Sequence, residues 1–349
     1  MPTNQGRATR VPLRVKETTM PNLNRGPRPI GASGLSVFPI GLGCASLSGS
    51  YGPSEEVNSL RVLHEAHARG VTMFDTSDKY GNGHNEELLA AAFADRLSSV
   101  TIATKFGNMA GRDGKVADNR PETILASCEA SLKRLRRDVI DLYYIHRIDA
   151  SIPIEDTIGA MSRLVQSGKV RALGICEAKP STLRRAYAAH PIAAIQSEYS
   201  ILYRAEAEEV LQTARQLGVT FVAYAPLGRG LLTGAVQPGT IGKGDERLRH
   251  PRFSPENLPR NLELVTAIEE VAQRHGCSAG QVSLAWLLDQ GEDILPIPGT
   301  KTLNRLIENI QAAAIKLSPE EVSFIASSIP PDSAAGLRYR AEHMKNMNL

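Results

Sequence analysis

An alternation constrains this chain more than any other feature. Eight short apolar runs of strand-like length are mostly separated by helix-like runs and never by a simple hairpin. The runs are 37–42, 71–74, 100–103, 139–145, 170–175, 192–195, 219–224 and 294–297. Strands joined through helices pair in parallel with right-handed crossovers. Eight such units in 349 residues predict an α/β fold, one closed (β/α)8 TIM barrel, because α/β barrels often exceed about 200 residues as a single domain. Arg28-Pro29-Ile30-Gly31 and Leu35-Ser36-Val37 flank a Gly/Ser turn and predict an N-terminal β-hairpin. Helices are expected over 55–69, 85–96, 121–135, 155–166, 181–188, 206–216, 262–275 and 279–289, with extra C-terminal helices over 303–310 and 319–327. No linker divides the chain, so residues 1–27 read as a flexible N-terminal arm and 28–349 as one catalytic domain. Residues 227–259 are too long for an ordinary connection and read as a functional loop.

Barrels of this kind assemble their sites at the C-terminal ends of the strands. Asp75, Thr76 and then Tyr80 follow the second run, Lys105 the third and His146 the fourth, while Gln196 and Tyr224 end the sixth and seventh. An acid, a phenol, an amine and an imidazole therefore converge on one rim. Carbonyl reduction by hydride leaves an alkoxide that must gain a proton, and a phenol remains protonated at neutral pH to supply it. An ammonium at Lys105 is expected to lower the Tyr80 pKa, Asp75 to hold that ammonium, and His146 to orient the carbonyl. The hydride itself needs a cofactor, since no side chain supplies one. Each residue also has a plainer reading: Asp75 as a turn residue, Tyr80 as a rim cover, Lys105 as a solvated strand end, His146-Arg147 as a structural pair. Together on three adjacent strand ends they are harder to dismiss.

Composition narrows the alternatives. Lys and Arg number 40 against 37 Asp and Glu, which gives no global field for nucleic acid or a membrane surface. No apolar run approaches the ~18 residues of a membrane helix. Cys44, Cys128, Cys176 and Cys277 are far apart and form no CxxC pair, which predicts reduced thiols and a cytoplasmic location. No Rossmann GxGxxG follows a strand, and His64-Glu65-Ala66-His67 is one residue short of HExxH, so no metal site is expected.

At the rim residues the sequence resembles the aldo-keto reductase superfamily. The stretch Gly70-Val-Thr-Met-Phe-Asp-Thr-Ser-Asp-Lys-Tyr-Gly81 with Asn85-Glu86 resembles the signature around that family's catalytic aspartate and tyrosine. Thr104-Lys105-Phe106 and Asp141-Leu-Tyr-Tyr-Ile-His-Arg-Ile-Asp149 resemble its lysine and histidine segments. Gly168-Lys-Val-Arg-Ala-Leu-Gly174, Gln196-Ser-Glu-Tyr-Ser200, Tyr224-Ala-Pro-Leu-Gly228 and Pro298-Gly-Thr-Lys301 continue the match in order. The resemblance implies a catalytic tetrad of Asp75, Tyr80, Lys105 and His146, and NADPH/NADP+ as cofactor. It places Gly43 and Thr76 near the nicotinamide ribose, Cys176 and Gln196 near the carboxamide, and Tyr224 against the nicotinamide ring. Leu227 and Gly228 fall in the cofactor-binding turn after it. Lys301, Thr302 and Arg305 match the group around the 2′-phosphate, and Glu308 and Asn309 the adenine contacts. A cationic pair opening a helix also suits a phosphate on physical grounds.

Two positions depart from the pattern. Cys176-Glu177 stands where many relatives have Ser-Asn or Ser-Glu, and Ala225 where a serine is common. A thiol is the weaker hydrogen-bond partner; alternatively Cys176 is a redox-sensitive thiol. The expected function is reduction of a small-molecule aldehyde or ketone to the alcohol. A cofactor-binding regulatory or scaffold subunit with little turnover is the alternative from another class, and a barrel lyase or isomerase is a third. Substrate identity and oligomeric state are not legible in these residues.

Overall fold

In the computed structural model, which describes residues 25–112, 115–344 and 347, the apolar runs become parallel strands of one eight-stranded sheet. The strands of the molecule are β1 (Arg28–Pro29), β2 (Ser36–Val37), β3 (Leu42–Gly43), β4 (Met73–Asp75), β5 (Thr101–Phe106), β6 (Asn108–Arg112), β7 (Lys115–Ala117), β8 (Ile140–Ile145), β9 (Val170–Cys176), β10 (Ala194–Glu198), β11 (Thr220–Tyr224) and β12 (Ile294–Pro296). The sheet runs β3-β4-β5-β8-β9-β10-β11-β12 with every pairing parallel. Its two edges meet, because the Gly41 N–H donates to Pro296 O (3.0 Å) and the Gly43 N–H to Pro298 O (3.3 Å). The sheet thereby closes, as the eight-unit reading required.

Helices follow the strands around the outside. They are α1 (Glu56–Ala68), α2 (His84–Ala92), α3 (Pro121–Leu135), α4 (Ile154–Gln166), α5 (Pro180–Ala189), α6 (Ala205–Leu217), α7 (Leu258–Glu263), α8 (Thr266–His275), α9 (Ala279–Asp289), α10 (Leu303–Gln311), α11 (Pro319–Ser328) and α12 (Ala341–Met344). Their starts carry the expected signals. Pro121, Pro180 and Pro319 sit in the first turns of α3, α5 and α11, and capping boxes at Ser278-Gln281 and Ser318-Glu321 open α9 and α11.

Every residue of β5 and β8 is buried, because one face packs on helices and the other lines the barrel. Two apolar clusters result. The larger, including Ile102, Ile145, Ile158, Leu183 and Trp286, lies between strands and helices. The smaller, including Met73, Leu142, Tyr144, Val222 and Leu295, fills the barrel interior and takes in Ile30 and Val37 of the N-terminal hairpin. That hairpin is stitched on by the Gly31 N–H donating to Thr220 Oγ1 (2.8 Å), which in turn donates to Pro29 O (2.9 Å). It closes the end of the barrel opposite the strand C-termini.

The differences from the sequence reading have local causes. The first core strand, expected over 37–42, is only Leu42–Gly43, while Val37 pairs in the hairpin. Pro39 interrupts the run and has no N–H for a ladder. The helix expected over 262–275 is two helices, α7 and α8. A second hairpin, β6–β7, follows β5 and was not foreseen. Residues 1–24 of the expected N-terminal arm lie outside the described residues.

Gly174 pairs with Tyr144 across β8 and β9. A Cβ at Gly174 would lie 2.3 Å from two carbons of the Tyr144 ring, so the ring fills the space that the glycine vacates. Gly174→Ala is expected to cost about 1–3 kcal/mol by overpacking, read as a lower urea midpoint with an unchanged slope.

Candidate active site

The closed barrel puts the ends of β4, β5 and β8 side by side. Asp75 ends β4, Lys105 stands near the end of β5, and His146 follows β8; all three are buried. Tyr80 reaches the same point from a helical turn whose next residue, Gly81, has φ 57°. A side chain at Gly81 would strike Ser48 Cβ at 2.9 Å, which explains a Tyr-Gly step at this bend.

The Lys105 ammonium contacts the Asp75 carboxylate, donates to Thr76 O (2.8 Å) and lies 3.4 Å from the Tyr80 hydroxyl. Gln196 Nε2 donates to the other Asp75 oxygen at 2.7 Å. The Tyr80 and His146 rings stand edge to face, 5.9 Å between centroids. The structure thus brings Asp75, Tyr80, Lys105 and His146 together, with Gln196 as a further partner of Asp75.

Burial sets the protonation states. It pushes the Tyr80 phenol up to about 12, against the pull of the Lys105 ammonium. The expected lowering by lysine is therefore present as an influence but outweighed, and the phenol keeps its proton. Burial also pushes the Asp75 carboxyl up, opposed by Lys105. Burial alone would lower Lys105, but the Asp75 carboxylate beside it holds the ammonium above its usual range. Burial, then Arg147 and Lys105, drive His146 well below its ordinary value, so the imidazole is neutral. Ser77 Oγ lies 3.0 Å from His146 Nδ1, a partner that the sequence reading missed. With the serine hydroxyl as donor, Nε2 retains the ring proton.

The other expected residues line the same end of the barrel. Gly43 is in β3 at the closing seam, and Thr76 Oγ1 donates to Asn85 Oδ1 (2.6 Å). Cys176 ends β9, and burial pushes its thiol up to about 12, the opposite of a reactive redox thiol. Leu227 and Gly228 form the turn after β11, where Gly228 has φ 56°. Lys301 Nζ donates to Tyr51 O (2.7 Å) and Pro53 O (3.2 Å). Thr302 caps α10 by position but makes no side-chain cap hydrogen bond. Arg305 pairs with Glu308 (2.6 Å), Ser278 Oγ also bonds Glu308, and Asn309 is buried on the same helix.

A second network at the rim was not foreseen. Arg338, 1% exposed in the C-terminal tail, binds Glu177 through both guanidinium nitrogens (3.0 and 2.6 Å) and lies 3.6 Å from Glu198. Arg229 pairs with Glu198 at 3.0 and 2.9 Å. The Tyr339 hydroxyl lies 3.0 Å from that of Tyr224, and the Arg229 guanidinium sits 5.0 Å over the Tyr339 ring. Asn261 and His250 hold the tail backbone at Ala335 and Arg338. Glu177, Ala225 and Arg229 all have positive φ, a strain the network must outweigh. The tail thereby brings Arg338 and Tyr339 to the rim beside Tyr224. Two open clefts, about 550 Å3 beside α3 and α4 and about 270 Å3 near the N-terminal hairpin, lie away from the tetrad.

Among the described residues no group of acids, histidines and cysteines could hold a metal, and no helix is long and apolar enough to cross a membrane. The four cysteines are free thiols.

Comparison with known proteins matches residues 39–329 to the model of the aldo/keto reductase family. The chain is 42% identical over 318 residues to a probable aldo-keto reductase 1 of Glycine max, covering 90% of this chain and 91% of that protein. Its fold superposes on a glycerol dehydrogenase from Gluconobacter oxydans with a TM-score of 0.77 at 30% identity, covering 86% and 94% of the two chains. An aldo-keto reductase from Bacillus halodurans gives 0.72 at 28% identity, covering 89% and 97%.

The rim network generates a stability test. Burial opposes the Glu198 charge, but Arg229 and Arg338 bring its carboxyl down to about 2. A depressed folded value stabilises above the ordinary carboxylate range and is lost as pH falls toward 2. Arg338→Met strands the buried Glu177 carboxylate, while Glu198 keeps Arg229, and is expected to cost about 3–5 kcal/mol near neutral pH, a deficit that narrows under acid in urea titrations.

Proposed function

The chain belongs to the aldo/keto reductase family, and we propose that it reduces an aldehyde or ketone to the alcohol with NADPH, Tyr80 acting as the general acid. As a member of that family it is an oxidoreductase of small carbonyl substrates. The observation that carries the finer reading is the buried Lys105 ammonium, in contact with Asp75 and 3.4 Å from the Tyr80 hydroxyl.

The substrate oxygen accepts hydrogen bonds from the Tyr80 hydroxyl and from neutral His146, which polarise it. As charge develops on that oxygen, Tyr80 gives up its proton, and the adjacent ammonium stabilises the phenolate left behind. Asp75 keeps Lys105 charged and in place, and Gln196 holds the second Asp75 oxygen. Ser77 fixes the imidazole tautomer that leaves a donor at Nε2.

The residues of the cofactor side fit NADPH. Lys301 and Arg305 flank the opening turn of α10, whose N-cap side chain leaves the turn's N–H groups without a side-chain acceptor, a setting that favours a phosphate. Ser46 Oγ is buried without a partner near the seam where a Cβ on Gly43 would meet Ile297 O at 2.7 Å. Lys301, Thr302 and Arg305 would hold the 2′-phosphate, Glu308 and Asn309 the adenine, Leu227 and Gly228 the pyrophosphate, Gly43 and Thr76 the ribose. Cys176 and Gln196 would meet the carboxamide, and Tyr224 the ring. Bound there, the cofactor supplies the hydride. The free thiols support a cytoplasmic location.

The test is NADPH oxidation over a panel of aldehydes. Wild type should turn over, and Tyr80→Phe should lose about 10²-fold or more in kcat while still binding NADPH. Equal inertness of both with tight NADPH binding would favour the regulatory reading. With the phenol held at about 12, the reduction rate should show no Tyr80 deprotonation step between pH 7 and about 10. Alcohol oxidation, which needs the phenolate, should rise with pH across that range.

A further inference from the structure

Arg147 directly follows His146 at the end of β8 and is half-buried. Its one side-chain hydrogen bond is to the carbonyl of His146 itself, at 2.9 Å. It makes no ion pair among the described residues. Its charge is felt at Tyr224, Tyr339, Glu177 and Cys176, which puts it on the side of the rim toward β9, β11 and the tail. The carboxylates on that side are already engaged. Glu177 is bound at both oxygens by Arg338, and Glu198 at both by Arg229.

Arg147, Arg229, Arg252 and Arg338 gather beside Glu177 and Glu198 at this rim. Arg252 lies 3.8 Å from Glu198 and Arg229 is fully engaged, which leaves Arg147 as the member with neither a carboxylate contact nor a structural bond beyond its own backbone. Burial opposes its charge but the surroundings outweigh it, so Arg147 stays a guanidinium cation with no carboxylate partner among the described residues. A fork beside the carbonyl-polarising histidine is matched in shape and charge by a single carboxylate.

We propose that Arg147 is a substrate-specificity residue, and that the substrate is a carbonyl compound bearing a carboxylate, an oxo acid or carboxy-aldehyde, whose carboxylate pairs with Arg147 while its carbonyl meets Tyr80 and His146. This rests on the reductase reading above. One unpaired positive charge suits a monoanion. The position next to His146, rather than by Lys301 and Arg305, assigns this charge to the substrate and not to a cofactor phosphate.

The probe is a pair of aromatic aldehydes, 4-carboxybenzaldehyde and its methyl ester, assayed as the ratio of their kcat/KM values. Wild type should favour the carboxylate, and the preference should shrink with added salt. Arg147→Met should lower the ratio about 10- to 100-fold, and Arg147→Lys should retain part of it. Calorimetric titration of 4-(hydroxymethyl)benzoate into the NADP+-loaded protein should show binding that Arg147→Met weakens by a similar factor. A wild-type ratio at or below one, or a ratio unmoved by Arg147→Met, overturns the proposal and leaves the reductase reading intact. A fall in NADPH affinity of the same size in Arg147→Met also overturns it, assigning the charge to the cofactor. If neither aldehyde is reduced although NADPH binds, the reductase reading itself fails; binding of the hydroxymethylbenzoate that depends on Arg147 would then still uphold the anion site, and its absence would sink both.

Discussion

Closure of the sheet is the constraint on which everything else depends. Gly41 and Gly43 bond the last strand segment at Pro296 and Pro298, and only then do all eight strands end around a single rim. Asp75, Lys105 and His146 are distant in the chain but occupy neighbouring strands, because β4, β5 and β8 are consecutive in the sheet. Parallel pairing does the rest, since it carries every strand's C-terminus to the same side.

That rim holds two buried charge networks with different tasks. In the first, a single ammonium is held by Asp75 and Thr76 O and turned toward Tyr80. It keeps a protonated phenol next to a positive charge. In the second, Arg229 and Arg338 neutralise Glu177 and Glu198, binding β9, β10, the long loop and the C-terminal tail into one wall. Removing either partner of such a pair leaves an uncompensated charge in low dielectric, so both networks act as all-or-none units. Tyr224 touches the second network through Arg338 and Tyr339.

Much of the fold was legible because its signals are local. The apolar runs at 139–145 and 219–224 differ from the observed strands by a residue, and α9 is the segment 279–289 that was expected. The misreading at 37–42 shows how one proline moves a strand between sheets. The tetrad was legible because its members share a topological address, the position just past a strand. Ser77 was not, since a hydroxyl two residues from Asp75 has no distinctive pattern until His146 is seen beside it. The Glu177–Arg338 pair is 161 residues apart in the chain, and no periodicity, cap or turn rule connects positions so distant. The net shift of Tyr80 was also hidden, because the sequence shows a neighbouring charge but not the depth of burial that outweighs it.

The tail's place in the rim has a consequence for how the molecule is made. Arg338 lies beyond the last barrel strand and beyond α11, so it leaves a ribosome after every barrel strand. The barrel can close once β12 has emerged, but until residue 338 arrives Glu177 and Glu198 lack its guanidinium. Bringing so distant a segment home adds only a slowly growing loop entropy, yet it comes after the barrel strands in time. The wall beside Tyr224 is thus completed only after the barrel, and a molecule cut before residue 338 would bring Asp75, Tyr80, Lys105 and His146 together beside an unfinished mouth.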